Sequence, residues 1–252
     1  MDIENQYGNL KSHEYLYSII SDIDDCCRKS DVKYSLSGGS LLGAVRHKGF
    51  IPWDDDMDLM FDRKNYHKFL KVFKKELSDK YMIVGKTWVQ RITRKDNDLA
   101  DKEVDCIDLF IFDPVPGNPL LSKLKVLILK CLQGMMKEKN DYSSFSFVYK
   151  VLLFATWLLG RPFSVRTKRR LYAKVSMWKG RQESGYINIY NTWFDQIGRL
   201  RFGKAIINKY IDVDFEDRKL MSIVGYDEYL TELYGDYMQL PPEDKRKAMH
   251  RQ

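Results

Sequence analysis

Two acidic segments constrain this chain more than any other feature. The first is Asp54-Asp55-Asp56-Met57-Asp58-Leu59. In extended backbone alternate side chains share a face, which sets Asp54, Asp56 and Asp58 on one side and turns Met57 and Leu59 toward a core. The second is Asp108, inside the apolar run Val104-Asp105-Cys106-Ile107-Asp108-Leu109-Phe110-Ile111-Phe112. That run predicts a central strand, ended by a turn at Asp113-Pro114-Val115-Pro116-Gly117. A lone carboxylate in such a strand costs on the order of several kcal/mol or is forced neutral. Crowded carboxylates repel, and a hard, oxygen-seeking ion such as Mg²⁺, or Mn²⁺ in its place, relieves both problems. The plainer alternatives are a solvated acidic turn at 54–58 and a backbone-bonded strand end at Asp108. Asp105 projects away from Asp108 and is the weaker ligand.

Ahead of the acidic run stands Ser37-Gly38-Gly39-Ser40, after a predicted strand at 32–36 and before the helix-compatible Leu41-Leu42-x-x-Val45. Backbone N–H groups at such a helix start suit a phosphate. Gly38 and Gly43 have the Walker A spacing, but Ala44 stands where the lysine belongs, and G-x-G-x-x-G is absent. Arg46-His47-Lys48 then places a basic cluster between this turn and Trp53.

Apolar spacing predicts an amphipathic helix through Leu16, Ile19, Ile20, Ile23 and Cys27, and another through Tyr66, Phe69, Leu70, Phe73 and Leu77 with Asp62 as N-cap. A hairpin is expected from 81–84 and 88–93 around Gly85-Lys86-Thr87. Strands are expected at 186–190 and 205–215, and a helix at 226–234. The result is an α/β (α+β) chain: a mixed sheet flanked by helices, with a basic helical insertion broken at Asn140-Asp141 and Gly160-Arg161-Pro162. The segments run 1–117 for the catalytic core, 118–184 for the insertion and 185–252 for the closing strands and helix.

The formal net charge of +7 favours acidic partners without choosing among nucleic acid, anionic lipid and phosphorylated substrate. No nucleic-acid module surrounds the basic residues, so nucleic acid is not expected. Leu121, Leu124, Leu127 and Leu132, interspersed with Lys123, Lys125 and Lys130, and the later Arg161, Arg166, Lys168, Arg169 and Arg170, suit either an anionic membrane surface or a packed insertion. The run 151–159, even with Phe145, Phe147 and Val148 upstream, falls short of a span. The polar start Met1-Asp2-Ile3-Glu4 lacks a secretory pattern, and the four scattered cysteines lack metal-ligand spacing. A cytoplasmic protein is expected, with peripheral attachment at the inner face of the membrane and a packed insertion as the open alternatives for the basic segment.

The glycine-serine turn, the acidic strand and a third carboxylate on a neighbouring strand form the layout of nucleotidyltransferases. Residues 37–59, the Cys106-Ile107-Asp108-Leu109-Phe110 strand, and Tyr226-Asp227-Glu228-Tyr229-Leu230 leading to Tyr234-Gly235-Asp236-Tyr237 resemble the signature blocks of the LicD family. That family includes phosphocholine transferases of bacterial glycans and is related to fukutin-type ribitol-phosphate enzymes. The matching blocks lie between about 30 and 250, with none from about 118 to 185. The extra 46–53 loop departs from generic nucleotidyltransferases and agrees with the subfamily.

The resemblance implies a metal-dependent transferase that moves phosphocholine, or a related phospho-alcohol, from CDP-choline or another CDP-alcohol to a sugar hydroxyl, releasing CMP. The acceptor would be a lipid-linked precursor of lipopolysaccharide, teichoic acid or capsule. In that reading Asp56, Asp58 and Asp108 hold the metal, and Asp108 also accepts the hydroxyl proton. Asp54 and Asp55 support the shell or a second ion. Gly38, Gly39 and Ser40 cradle a phosphate, and Arg46, His47 and Lys48 offset charge. Trp53, with Tyr186, Tyr190, Trp193 and Phe194 as further candidates, offers a face to a quaternary ammonium or else packs as a wall. The competing readings are a D-x-D glycosyltransferase using a nucleotide sugar and a non-catalytic binding protein on the same fold.

Overall fold

The computed structural model describes residues 7–85, 88–96, 105–136, 147–181, 183–192, 194 and 196–247. The start of the chain (1–6), Lys86, Thr87, Val104, the 140–141 break, Phe145 and Trp193 lie outside these residues. In chain order the elements are α1 (Leu10–Lys29), β1 (Ser35–Leu36), α2 (Gly38–His47), β2 (Met57–Asp62) and α3 (Arg63–Val72), which continues as a π-helical turn, Phe73–Leu77. Then come β3 (Tyr81–Val84), β4 (Gln90–Arg94), β5 (Ile107–Pro116), α4 (Pro119–Met136), α5 (Phe147–Gly160) and α6 (Val165–Ser176). The chain closes with β6 (Glu183–Ile189), β7 (Phe202–Gly203), β8 (Tyr210–Phe215), β9 (Arg218–Ile223) and α7 (Tyr226–Tyr234). This is an α/β fold. By packing, the chain divides into two compact units: Met1–Val84 with Gln90–Ile111 and Lys204–Gln252, and Gly85–Val89 with Phe112–Gly203.

In the first unit the strand order is β1-β2-β5-β4-β3, with β5 contributing its first residues. α1 forms where expected because Leu16, Ile19, Ile20, Ile23 and Cys27 make one fully buried stripe. Arg28 near its end bonds Asp24 and reaches Asp212 on β8 at 2.7 Å. Asp62 caps α3, its carboxylate accepting from the Asn65 N–H at 2.8 Å. β3 and β4 pair as the predicted hairpin, and α7 spans the predicted residues.

Three expectations are corrected. The strand at 32–36 shrinks to Ser35–Leu36. The acidic run is not extended throughout, because β2 begins only at Met57. The Asp54 N–H bonds Ile51 O, and its own carbonyl accepts from Asn9 Nδ2 and His13 Nε2, so these groups serve a loop rather than a ladder. The turn at 113–117 is also absent. β5 runs on to Pro116 in register with β6, and a shift between Pro114 and Pro116 accommodates prolines that have no N–H to donate.

The second unit contains the later half of β5, β6, β7 and the helices α4, α5 and α6. Val115, Leu129, Leu132, Met136, Tyr172, Tyr190 and Ile197 form its core. Within that core Lys125 is fully buried, and its Nζ donates to the carbonyls of Pro114, Ser176 and Trp178 at 2.6, 2.6 and 3.0 Å. Lys168 likewise donates to Met135 O and Gly160 O. A side chain on Gly134 would collide with Thr156, so this glycine lets α4 and α5 pack closely. No helix among the described residues is long and apolar enough to cross a membrane.

Candidate active site

α2 opens immediately after β1, and the backbone ties its first turn to β2. The Ser37 N–H donates to Asp58 O at 3.0 Å, and the Asp58 N–H donates to Ser40 Oγ at 2.8 Å. Ser40 therefore braces the strand with its oxygen. From below, Tyr229 on α7 holds the same turn: its hydroxyl lies 2.8 Å from Ser37 Oγ and accepts from the Gly38 N–H at 3.4 Å.

Against this turn lie the carboxylates. A Cβ added to Gly38 would stand 2.5 Å from Asp58 Oδ2, and one on Gly39 would collide with Asp54 Oδ2. Bare glycine is what lets both carboxylates rest on the helix start; at Gly38 a φ of +49° adds a second reason. Asp54 and Asp58 sit deep among protein atoms while keeping a partly accessible surface. Burial, then the charge of Asp56, then that of Asp55 push the Asp54 carboxyl up to about 8. Burial pushes Asp58 higher than an ordinary carboxyl as well, with Asp56, Asp108 and Asp54 adding repulsion and Arg91 opposing it. Asp58 thus feels the charge of both other predicted ligands, Asp56 and Asp108.

Asp108 is 6% exposed and lies directly across the sheet from Arg91, whose Nε stands 2.7 Å from its Oδ1. Among the described residues no three His, Cys, Asp or Glu side chains already stand at metal-ligand spacing. The donor set still fits a hard divalent ion: buried, mutually repelling carboxylate oxygens beside a glycine cradle, with one built-in guanidinium against several acids. Asp105, at φ +60°, accepts from Ser12 at 2.5 Å, consistent with its place outside this set.

The basic cluster has a different geometry from the expected one. Arg46 Nη1 donates to the carbonyls of Tyr237 and Gln239 at 2.9 and 3.1 Å, clamping the segment after α7. Burial, then the Arg46 charge, lower the His47 pKa, favouring a neutral ring near pH 7. Lys48 takes the left-handed position that ends α2 and is exposed. Trp53 borders a cavity of about 750 Å³ with Tyr7, His47, Phe50, Glu216 and Arg246. The Arg246 guanidinium lies over its ring at 5.5 Å, and Tyr7 and His47 meet it edge-on. Of the other aromatic candidates, Tyr190 and Tyr186 are engaged by Lys125 and Arg201 within the second unit, and Phe194 by Lys130.

Sequence reasoning missed Arg91, Tyr234, Asn9 and His13. The Tyr234 hydroxyl lies 3.8 Å from where a Gly38 Cβ would be, and burial raises its pKa further from neutrality, followed by the charges of Tyr229, Asp58 and Asp54. Its place at the end of the α7 block was the available signal. Arg91 carried none, since only strand register sets it opposite Asp108.

Known proteins share this sequence pattern. The chain is 29% identical over 247 residues to the lipopolysaccharide cholinephosphotransferase LicD of Haemophilus influenzae, covering 89% of each chain. It is 68% identical over 28 residues to the ribitol 5-phosphate transferase FKRP of mouse and of human, 11% of this chain and 6% of theirs. Residues 31–123 match the LicD/FKTN/FKRP nucleotidyltransferase domain, and that segment contains the glycine turn and the carboxylates of β2 and β5.

Proposed function

We propose that the protein transfers phosphocholine, or a closely related phospho-alcohol, from a CDP-alcohol to a sugar hydroxyl of a lipid-linked cell-surface glycan precursor. The observation that carries this reading is the mutual repulsion of Asp54, Asp56, Asp58 and Asp108 beside Gly38 and Gly39. The similarity to an enzyme named for cholinephosphate transfer to lipopolysaccharide supports the substrate class.

Asp56, Asp58 and Asp108 would hold Mg²⁺ or Mn²⁺, with Asp54 and Asp55 supporting that set. When bound, the ion supplies charge neutralisation at the pyrophosphate. The N–H groups of Gly39 and Ser40 orient a phosphate oxygen at the start of α2. The acceptor oxygen attacks the choline-bearing phosphorus, the phosphoanhydride bond breaks, and CMP departs with the bonding electrons. Asp108 takes the hydroxyl proton, and Arg91 beside it offsets negative charge as the bond breaks. The Trp53 ring would offer a face to the quaternary ammonium, which would take the place of the Arg246 guanidinium that lies 5.5 Å from it. His47 serves as its neutral edge, while Arg46 fixes the chain around it; of the three basic residues only Lys48 remains for long-range attraction of the anionic donor.

Incubating the full chain with Mg²⁺, CDP-choline and a lipid-linked glycan acceptor should release CMP and label the acceptor. Asp58→Asn should lower the rate at least about a thousandfold, the loss of several kcal/mol of charge stabilisation. UDP release from a UDP-sugar in place of CMP would identify a glycosyltransferase and overturn the reading.

A further inference from the structure

α5 reads Phe147-Val-Tyr-Lys-Val-Leu-Leu-Phe-Ala-Thr-Trp-Leu-Leu-Gly160, with one charge in fourteen residues. A helix this apolar is ordinarily buried, yet Val151, Leu152, Phe154, Leu158 and Leu159 are 51–63% exposed. On α4, which packs against it, Leu120 is 75% and Leu127 59% exposed. So many large apolar side chains left open in one unit mark a contact surface rather than ordinary scatter.

Charge identifies the partner. α4, α5 and α6 contain no Asp or Glu. Among their lysines and arginines, Lys130, Lys150 and Arg169 are half-buried and the rest fall at the two extremes. Lys125 and Lys168 are buried and spent on carbonyls, whereas Lys123, Arg166, Arg170 and Lys174 are exposed. Arg161, just after α5, lies 5.1 Å over the Trp157 ring, an arrangement suited to the boundary between apolar and polar surroundings. A second copy of the chain would press cations against cations, while an anionic lipid surface complements both the charge and the apolar side chains. At 1.5 Å per residue α5 is about 21 Å long, short of the roughly 30 Å hydrocarbon core.

We propose that the exposed side of α5, with the first turns of α4 and the outward cations of α6, is a seat for an anionic lipid bilayer, in which α5 lies along the interface rather than across it. The seat is independent of the transferase reading, because binding requires neither donor nor carboxylates.

Co-sedimentation of the full chain with vesicles tests it. Wild type should pellet with phosphatidylglycerol-rich vesicles at low salt and stay largely in the supernatant with pure phosphatidylcholine. Arg166→Ser/Arg169→Ser/Arg170→Ser should partition about a hundredfold more weakly, and high salt should mimic it. Lys168 is left intact because it supports the fold. Leu152→Ser/Phe154→Ser/Leu158→Ser/Leu159→Ser should abolish pelleting at low salt with an unchanged thermal melt, since these side chains are exposed. Wild type that remains in the supernatant with phosphatidylglycerol, or pelleting that neither variant weakens, overturns the proposal. So does a dimer by light scattering that the α5 variant converts to monomer, which would assign this surface to a second copy.

Discussion

At the residue scale, the pairing of Arg91 with Asp108 is the element of the candidate site with the clearest energetic signature. Both side chains are largely buried, 16% and 8% exposed. Removing one member of such a pair leaves an uncompensated charge, whereas removing both is far less costly. Arg91→Met should therefore lower the unfolding free energy by about 3 kcal/mol, and adding Asp108→Asn should recover part of that loss. A urea-denaturation double-mutant cycle measures both; additive losses would mean that the pair is not a coupled unit. Gly39→Ala is the complementary test by volume: its new methyl would displace Asp54, so CMP release should fall at least tenfold while the melting temperature moves little. The carboxylates were legible in the sequence because acidic residues in an apolar strand are conspicuous locally. Arg91 was not, because its partner is set by a register between strands joined by a long connection, which local pattern does not encode.

At the element scale, one residue type serves opposite ends. α4 carries Lys123 outward and Lys125 inward, two positions apart, and periodicity alone reads both as solvated. Lys125 instead ends on three carbonyls and lies 4.0 Å from the Tyr190 ring. Lys125→Met keeps the stem's volume but leaves those acceptors unpaired, so it should destabilise the protein by about 3 kcal/mol, checked by chemical denaturation, whereas Lys123→Met should change stability by less than about 0.5 kcal/mol. The same distinction explains Arg46. Its partners, the Tyr237 and Gln239 carbonyls, lie more than 190 residues further along the chain, so a side chain that reads as a phosphate ligand also clamps the segment after α7. Elements whose signals are local were read correctly: the Asp62 cap, the buried stripe of α1, the span of α7. The acidic loop was misread where the Asp54 N–H bonds Ile51 O and its carbonyl accepts from the Asn9 and His13 side chains rather than from the sheet.

At the scale of the whole molecule, the candidate site draws on positions 37–40, 54–58, 91, 108 and 229–234, all within the first unit, so it forms only when segments far apart in sequence have packed together. Tyr229 supports the Ser37-Gly38 turn, and Asn9 and His13 hold the loop of Asp54. The segment 31–123 matched by the family domain contains neither support. The folded chain also gathers carboxylates whose repulsion the unfolded chain escapes by spreading them apart, and this sets the sign of the last prediction. A divalent ion that binds the folded protein alone adds stability of RT ln(1 + [L]/Kd), about 2.7 kcal/mol at a hundred times Kd. Mg²⁺ should thus raise the wild-type melting temperature by several degrees. Asp58→Asn, with less repulsion to relieve and a weaker ligand to offer, should melt at or above the metal-free wild type and respond little to Mg²⁺. Differential scanning calorimetry with and without Mg²⁺ decides it: an equal shift in both proteins would place the ion away from Asp58 and remove that carboxylate from the metal site.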